Sequence, residues 1–333
     1  MQAAQLLNLP LADAASQTHA DVLIVGGGPV GLLLANLLGV QGIRTLVCDK
    51  RTTPLDHSMA IGITPPSLEI LKPLGLDTVF SRDGVPVRHA EVLESRTRLG
   101  RLDFGEIASD YRFFLSIPQV RTVEILAENL AKFESVTVYR GTEFLGLEQD
   151  ANGVRAKFRG VDSQIGFELR ARFVIGCDGN RSAVREAAGL RADGHVYPQR
   201  FVMADFLDRS GLGSEARLFF APEASVESFP LPGGWRRWIV LAHDLRHEPP
   251  TDYLIRSVRR LTGFELGDEP ARFVSTFGAR RMVVNRYYAG RVALAGDAAH
   301  AMSSIGGQGM NTGFADAEML ARILPAVLKA PSV

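Results

Sequence analysis

Residues 21–50, DVLIVGGGPVGLLLANLLGVQGIRTLVCDK, decide the fold. VLIV at 22–25 is a short β-branched run that reads as a buried strand, GGGPVG at 26–31 is a turn, and LLLANLLG at 32–39 has helical spacing. A second apolar run, ending at Cys48, closes a βαβ unit. Gly26, Gly28 and Gly31 satisfy G-x-G-x-x-G between strand and helix, and that context gives each glycine a task. Gly26 permits the tight turn, and Gly28 lets backbone approach a pyrophosphate. Gly31 lets the helix, opening at Pro29 and Val30, pack close to the strand with phosphate at its N-terminus. Asp49 stands 21 residues beyond Gly28 at the end of the second strand, a position that suits an acceptor of ribose hydroxyls. Lys50 and Arg51 follow it, and Arg51 either pairs with the diphosphate or faces water. These features favour a dinucleotide over a bare βα turn but leave NAD and FAD both open.

Farther along the chain the pattern changes. PPSLEILKPLGL at 65–76 is a short amphipathic helix expected to stay with the first domain, and residues 86–104 alternate as an antiparallel hairpin. Residues 195–245 hold the strand-like runs FVMADFL, ARLFFA, ESFPLPGG and RRWIVLAH with no helix between them. YLIRSVRRLTG reads as a helix, RVALAGDAAH as a strand entering a turn, and GMNTGFADAEMLARILPAVL as a long helix. The expectation is an α/β chain. A discontinuous Rossmann-like domain (20–85, 112–190, 276–333) is interleaved with a mostly antiparallel sheet domain (86–111, 191–275), after a loose arm at 1–19.

The 333 residues suffice for two packed units, and 37 basic against 37 acidic side chains leave no net field to draw the chain to nucleic acid or an anionic membrane. Small molecules become the expected partners. Two cysteines, Cys48 and Cys177, cannot build a disulfide framework, so a reducing compartment, the cytoplasm, is expected. No run is long and apolar enough to span a bilayer, the first 20 residues lack the charge and length of a secretory signal, and no metal is expected.

GDAAHAMSSIGGQGMNTGFADAEMLA at 296–321 resembles the GD motif of the class A FAD-dependent monooxygenases, the para-hydroxybenzoate hydroxylase-like aromatic hydroxylases. The resemblance implies that Gly296 and Asp297 meet the ribityl chain of FAD, and that Gly307, Gly309, Met310 and Asn311 lie against the pyrimidine end of the flavin. There a helix N-terminus suits the negative charge of the reduced ring. CDGNRSAVR at 177–185 looks like the same family's DG motif. It implies that Asp178, Gly179 and Arg185 help place FAD and the NAD(P)H pyrophosphate, while Arg181 reads equally as a solvated charge. IPQVRTVEIL at 117–126 resembles the segment whose polar residue, here Gln119, touches the ribityl or phosphate. The chain departs from the family pattern at Met59, where many members carry an arginine, and at Ser303 and Ser304, where a proline is usual.

The reaction implied is hydroxylation of an aromatic or polycyclic small molecule. NADPH or NADH reduces FAD, molecular oxygen adds to give a flavin C4a-hydroperoxide, and one oxygen passes to the substrate in a closed apolar pocket. Phe201, Met203, Phe219, Phe229, Trp235 and Trp238 are candidates to line it, although aromatic residues on sheets more often pack as core. His300 reads as structural, and His195 fixes neither geometry nor pKa. Three alternatives stand beside hydroxylation: a flavin-dependent halogenase, a reductase, or a catalytically silent flavin-binding protein. WRRWI at 235–239 is similar to the halogenase W-x-W-x-I but has the wrong spacing.

Overall fold

The computed structural model describes residues 19–53, 60–94, 97–222, 224–242, 245, 249–267, 269–302 and 307–330. Met59, Ser303, Ser304 and nearly all of the N-terminal arm lie outside the described residues. Contacts divide the chain into two units: Met1–Asp56, Val120–His195 and Arg281–Val333 form the first, His57–Gln119 and Val196–Arg280 the second.

The first unit is built on a sheet whose strands run in the order Tyr288–Ala289, Val292–Leu294, Gly166–Gly176, His19–Val25, Thr45–Asp49, Val136–Arg140. From Val292–Leu294 to Val136–Arg140 each neighbour is parallel. Such a sheet needs cover on both faces, and the sequence supplies near-continuous apolar strands: Val22, Leu23, Ile24, Val47 and Val174 are wholly buried. The helix Pro29–Val40 carries Leu32, Leu33, Leu34 and Leu38, all wholly buried, because it lies between the sheet and the long helix Gln308–Lys329. Its one buried amide, Asn36, donates to Leu32 O at 2.8 Å and Leu126 O at 2.9 Å and accepts from Asn129 Nδ2 at 2.8 Å. Every polar atom is therefore partnered in a place where an orphan would cost about 1–3 kcal/mol. The first half of Gly166–Gly176 also closes an antiparallel meander with Val154–Gly160 and Thr142–Gln149, filled by Phe144, Phe158 and Phe167.

The second unit centres on a sheet formed by His89–Glu94, Thr97–Asp103, Ala216–Ala221, Ala224–Leu231 and Trp235–Ala242, with the end of Ala192–Leu207 beside the last. All pairings between these are antiparallel except that of Ala216–Ala221 with His89–Glu94. The helix Pro250–Thr262 covers one face, burying Leu254 and Val258 against Val202, Ala204, Phe206, Phe219, Val226, Trp238 and Val240. Phe219 and Trp238 are thus core residues. Phe229 belongs to a separate cluster with Val87, Ala90 and Ala216, and Trp235 lies beneath the Arg272 guanidinium, 5.5 Å from its ring centre.

The helix Pro65–Leu71, which the sequence reading kept with the first domain, groups with the second unit. The reason is a small sheet: Gly62–Ile63 and Val85–Val87 both pair with Phe114–Ser116, and Ser116 Oγ donates to Pro230 O at 2.5 Å. Those pairings fix both ends of the helical segment, which amphipathicity alone does not place.

Candidate FAD site

The parallel register brings four loops to the carboxyl edge of one sheet. Val25 leads into GGGPVG, Gly176 into Cys177 and Asp178, Leu294 into Gly296 and Asp297, and Asp49 ends its strand beside Arg140. Across that edge the order is GD turn, DG turn, Gly-rich turn, Asp49, Arg140. An open parallel sheet binds ligands beyond its carboxyl ends where connections diverge, and here that point is the Gly-rich turn.

Steric demands explain the glycines. Gly26 has φ +111°, and a Cβ there would overlap the Cys177 carbonyl. A Cβ on Gly31 would overlap the Gly26 carbonyl oxygen. At Gly28, by contrast, an added Cβ meets no protein atom within 4 Å. That open space adjoins the first N–H groups of a helix that begins with Pro29, the geometry of an anion site.

Asp49 is nearly fully buried and saturated by the chain itself: Oδ2 accepts from Gly27 N at 2.7 Å and Arg51 Nη2 at 2.8 Å, and Oδ1 accepts from Arg51 N at 2.8 Å. Burial opposes its ionisation, but the Arg51 and Gly27 bonds outweigh burial and hold the carboxyl below the usual range. Arg51 is therefore committed to Asp49 in this structure, and Lys50 is exposed. Beside them Arg140 is half-buried, and its Nε and Nη2 have no hydrogen-bond partner among the described residues. Burial, with Arg51 nearby, lowers its pKa. Arg140 went unread in the sequence, where it follows the strand run VTVY without any motif around it.

The DG residues stitch loops together. Asp178 accepts from Ser182 Oγ at 2.6 Å and Val184 N at 3.1 Å, capping the short helix Ala183–Ala187. Arg185 donates to Asn180 O at 3.0 Å and, across to the GD turn, to Ala298 O at 2.9 Å. Gly179 takes φ +84°, and Arg181 is exposed. Both groups expected to meet NAD(P)H, Asp178 and Arg185, are engaged within the chain.

In the GD segment, Gly296–Ala298 is a 3-10 turn with Asp297 exposed. Asp316 Oδ2 accepts from Gly296 N at 2.8 Å and from His300 Nε2 at 2.6 Å, clamping the turn to the long helix. That helix starts after Gly307 at φ +64°, with Gly309 open, Met310 half-buried, and Asn311 Nδ2 donating back to Gly307 O at 2.8 Å. Val30 packs where Gly296 and Gly313 leave room; a Cβ on Gly313 would lie 2.5 Å from Val30 Cγ2. Gly313 and Asp316 were missed in the sequence, although a small residue and an acid one turn apart on a helix were the available signal. Gln119 opens the helix Gln119–Leu130 and belongs to the second unit, where its Oε1 accepts from Ala60 N at 3.2 Å. His195 is exposed in the strand Ala192–Leu207.

The Asp316 hydrogen bond raises the His300 pKa above its ordinary value, against the effect of burial. A raised folded-state pKa contributes stability that is complete below the unfolded value of about 6.5 and is lost as pH rises through the folded value. Thermal unfolding followed against pH is expected to show a loss of about 1 kcal/mol across that window in the native chain and none in His300→Gln.

Neither thiol is reactive in kind. Burial pushes Cys48 up to about 12 and raises Cys177 as well. Among the described residues no helix is long and apolar enough to cross a membrane, and no cluster of three or more His, Cys, Asp or Glu is arranged to hold a metal ion.

A Gly-rich turn opening a helix, a parallel-sheet edge that brings the Gly-rich, DG and GD loops together, and a second Gly-initiated helix clamped to the GD turn define a flavin-dinucleotide-binding α/β protein. The residues fit FAD in kind: a Cβ at Gly28 would meet no protein atom beside a helix start, and the half-buried Arg140 keeps two nitrogens that no described residue engages. The chain belongs to the FAD binding domain family, whose pattern matches residues 19–332. It is 34% identical over 306 residues to rifampicin monooxygenase of Streptomyces venezuelae, covering 89% of this chain and 62% of that protein. To 3-(3-hydroxy-phenyl)propionate/3-hydroxycinnamic acid hydroxylase of Mycobacterium avium it is 32% identical over 333 residues, covering 94% and 56%. The crystal structure of p-nitrophenol 4-monooxygenase PnpA from Pseudomonas putida DLL-E4 superposes with TM-score 0.87 at 27% identity, covering 94% of this chain and 81% of that one. The chain spans less than two thirds of the length of the curated relatives it matches.

Proposed function

We propose that this chain is the flavin- and substrate-binding part of an NAD(P)H-dependent aromatic hydroxylase. The convergence of the GGGPVG, DG and GD loops on one sheet edge carries the reading, and the hydroxylase and monooxygenase relatives support it. When bound, FAD supplies the electron store filled by NADPH or NADH and the activation of molecular oxygen. The residues of the first unit do the rest of the work there. Gly28, Val30 and Gly31 present backbone N–H groups to the diphosphate, while Gly26 and Pro29 shape the turn and the helix start that aim them. Asp49, Lys50, Arg51 and Arg140 form the adenosine end, with Arg140 offering the free donors. Gly296, Asp297, Gly307, Gly309, Met310 and Asn311 hold the ribityl and flavin end. Asp178 and Arg185 act first by positioning the GD turn, and through it the flavin, ahead of any contact with NAD(P)H.

The second unit is the substrate-binding part, and its sheet carries the apolar and aromatic side chains that such a substrate needs. Hydroxylation is favoured over halogenation or reduction by the three relatives named above, each a hydroxylase or monooxygenase. Purified protein reconstituted with FAD is expected to consume NADH or NADPH at least about tenfold faster with one member of a panel of aromatic compounds. That gain corresponds to about 1.4 kcal/mol of activation free energy. The product should carry one atom of label from ¹⁸O₂. Bound FAD that no aromatic compound couples to labelled product would leave a silent flavoprotein as the surviving reading.

A further inference from the structure

Asp49 and Arg140 stand level on neighbouring parallel strands, and their hydrogen bonding is unequal. A carboxylate offers about four lone-pair sites, and the chain itself fills each of them at Asp49. Oδ1 accepts from Arg51 N at 2.8 Å and Arg51 Nε at 3.1 Å, and Oδ2 accepts from Gly27 N at 2.7 Å and Arg51 Nη2 at 2.8 Å. Nothing is left for a ribose hydroxyl. Arg140 is the reverse case, because its Nε and Nη2 are buried and no described residue accepts from either. Burial, with Arg51 beside it, lowers the Arg140 pKa, and the Asp49 charge works in the opposite direction.

The two members of the Arg51–Asp49 pair differ in their freedom to move. The Arg51 side chain is 34% exposed and that of Asp49 3%. The Arg51 backbone is fixed, since its N donates to Asp49 Oδ1 and its O accepts from Gly141 N at 3.0 Å, so only the side chain can turn into water. Its departure opens one acceptor site on each carboxylate oxygen, because Gly27 N keeps Oδ2 and Arg51 N keeps Oδ1. A vicinal diol brings two O–H donors, one for each oxygen, and its own oxygens accept, which is what Arg140 lacks. The obstacle is charge: a carboxylate this buried, left without a cation, is strongly destabilising. Arg140 answers it, level with Asp49 and held by no ion pair among the described residues.

We propose that Asp49 exchanges cations when FAD binds: Arg51 closes the carboxylate in the ligand-free chain, and the adenosine diol displaces its side chain while Arg140 remains as the counter-charge and donates to the diol oxygens. The assignment rests on the FAD reading given above and concerns the first unit alone. Arg51 is then an internal competitor of the nucleoside, and Arg140 a cofactor-contacting residue that decides specificity. A flavin without adenosine has no diol to set against Arg51, so the exchange favours the dinucleotide over the mononucleotide.

The test uses the full chain stripped of flavin, melted without ligand and titrated with FAD and with FMN, which lacks the adenosine. Arg51→Met should melt below the native protein, having lost the ion pair, yet bind FAD about 3- to 10-fold more tightly and associate with it faster, its FMN affinity unchanged. Arg51→Lys, which keeps the charge and gives up the two-point grip, should fall between the native protein and Arg51→Met in both measurements. Arg140→Met should melt at or above the native temperature, since it removes a buried guanidinium without a partner, and bind FAD about 10- to 100-fold more weakly with FMN again unchanged. A merely structural role would move melting and affinity in the same direction, so the opposed signs report the exchange. The inference is overturned if Arg51→Met fails to tighten FAD binding, outright weakening being the mark of a direct bond from Arg51 to the diphosphate. It is equally overturned if Arg140→Met keeps native affinity, or if the native protein binds FAD and FMN alike. A native protein that binds neither flavin refutes the FAD reading itself, whichever way the variants melt.

Discussion

Gly31→Ala is expected to emerge from purification without flavin and to bind added FAD about 10- to 100-fold more weakly than the native chain, equivalent to about 1.4–2.8 kcal/mol. The new methyl group would overlap the Gly26 carbonyl oxygen and approach Ile24 Cγ2 at 3.2 Å. Neither neighbour can yield. Gly26 N donates to Cys48 O at 2.8 Å and Cys177 N donates to Val25 O at 2.7 Å, so the turn is bonded on both sides into the sheet. The helix must move instead, and with it the N–H groups that would face the diphosphate. Gly28→Ala provides the comparison, because its added methyl meets no protein atom within 4 Å. It should melt within about 0.5 kcal/mol of the native protein yet also lose FAD, since there the methyl intrudes on the ligand alone. Titration of FAD against both variants with thermal melts reads the difference. A Gly31→Ala protein of native affinity would remove the turn from the site.

Arg237→Ala is expected to destabilise the second unit by about 3–5 kcal/mol, the cost of stranding the charge of a buried partner. The Arg237 side chain is 0% exposed and its Asp205 partner 9%, and the guanidinium also lies 5.1 Å from the ring centre of Phe273. Cutting back one partner leaves a carboxylate with neither counter-charge nor water. Replacing both, Asp205→Leu with Arg237→Met, should recover most of the loss, because the pair's attraction largely offsets its own desolvation. Urea unfolding of the two variants checks this, and a single variant within about 1 kcal/mol of native would mean that water reaches Asp205.

These two sites differ in how far the chain announced them. The Gly31 clash follows from local spacing: three glycines at fixed intervals between a β-branched run and an apolar helix admit one close turn. Asp49 was legible for the same reason, being the acid at the end of the next strand. What it does was not, since Gly27 and Arg51 fill both of its oxygens. Arg237 and Arg236 look alike in the sequence, yet alternation sends them to opposite faces. Arg236 closes on Asp208 at 2.8 Å and on the Gly213 and Glu215 carbonyls, while Arg237 meets Asp205.

The sequence by itself determined the βαβ turn, the GD and DG segments and the antiparallel strands of the second unit, because each rests on residues within one turn or one strand of another. Tertiary structure alone decided what depends on strands distant in the chain. Parallel register carries Arg140 to the end of the edge occupied by Asp49. The approach of two helices makes Gly313 obligatory and lets Asp316 clamp Gly296 and His300. The pairing of Leu218, Glu227 and Ile239 across three strands buries a carboxyl that in sequence looks like any other charged residue on a strand. Periodicity fixes which face a side chain takes relative to its neighbours, but only packing fixes what that face meets.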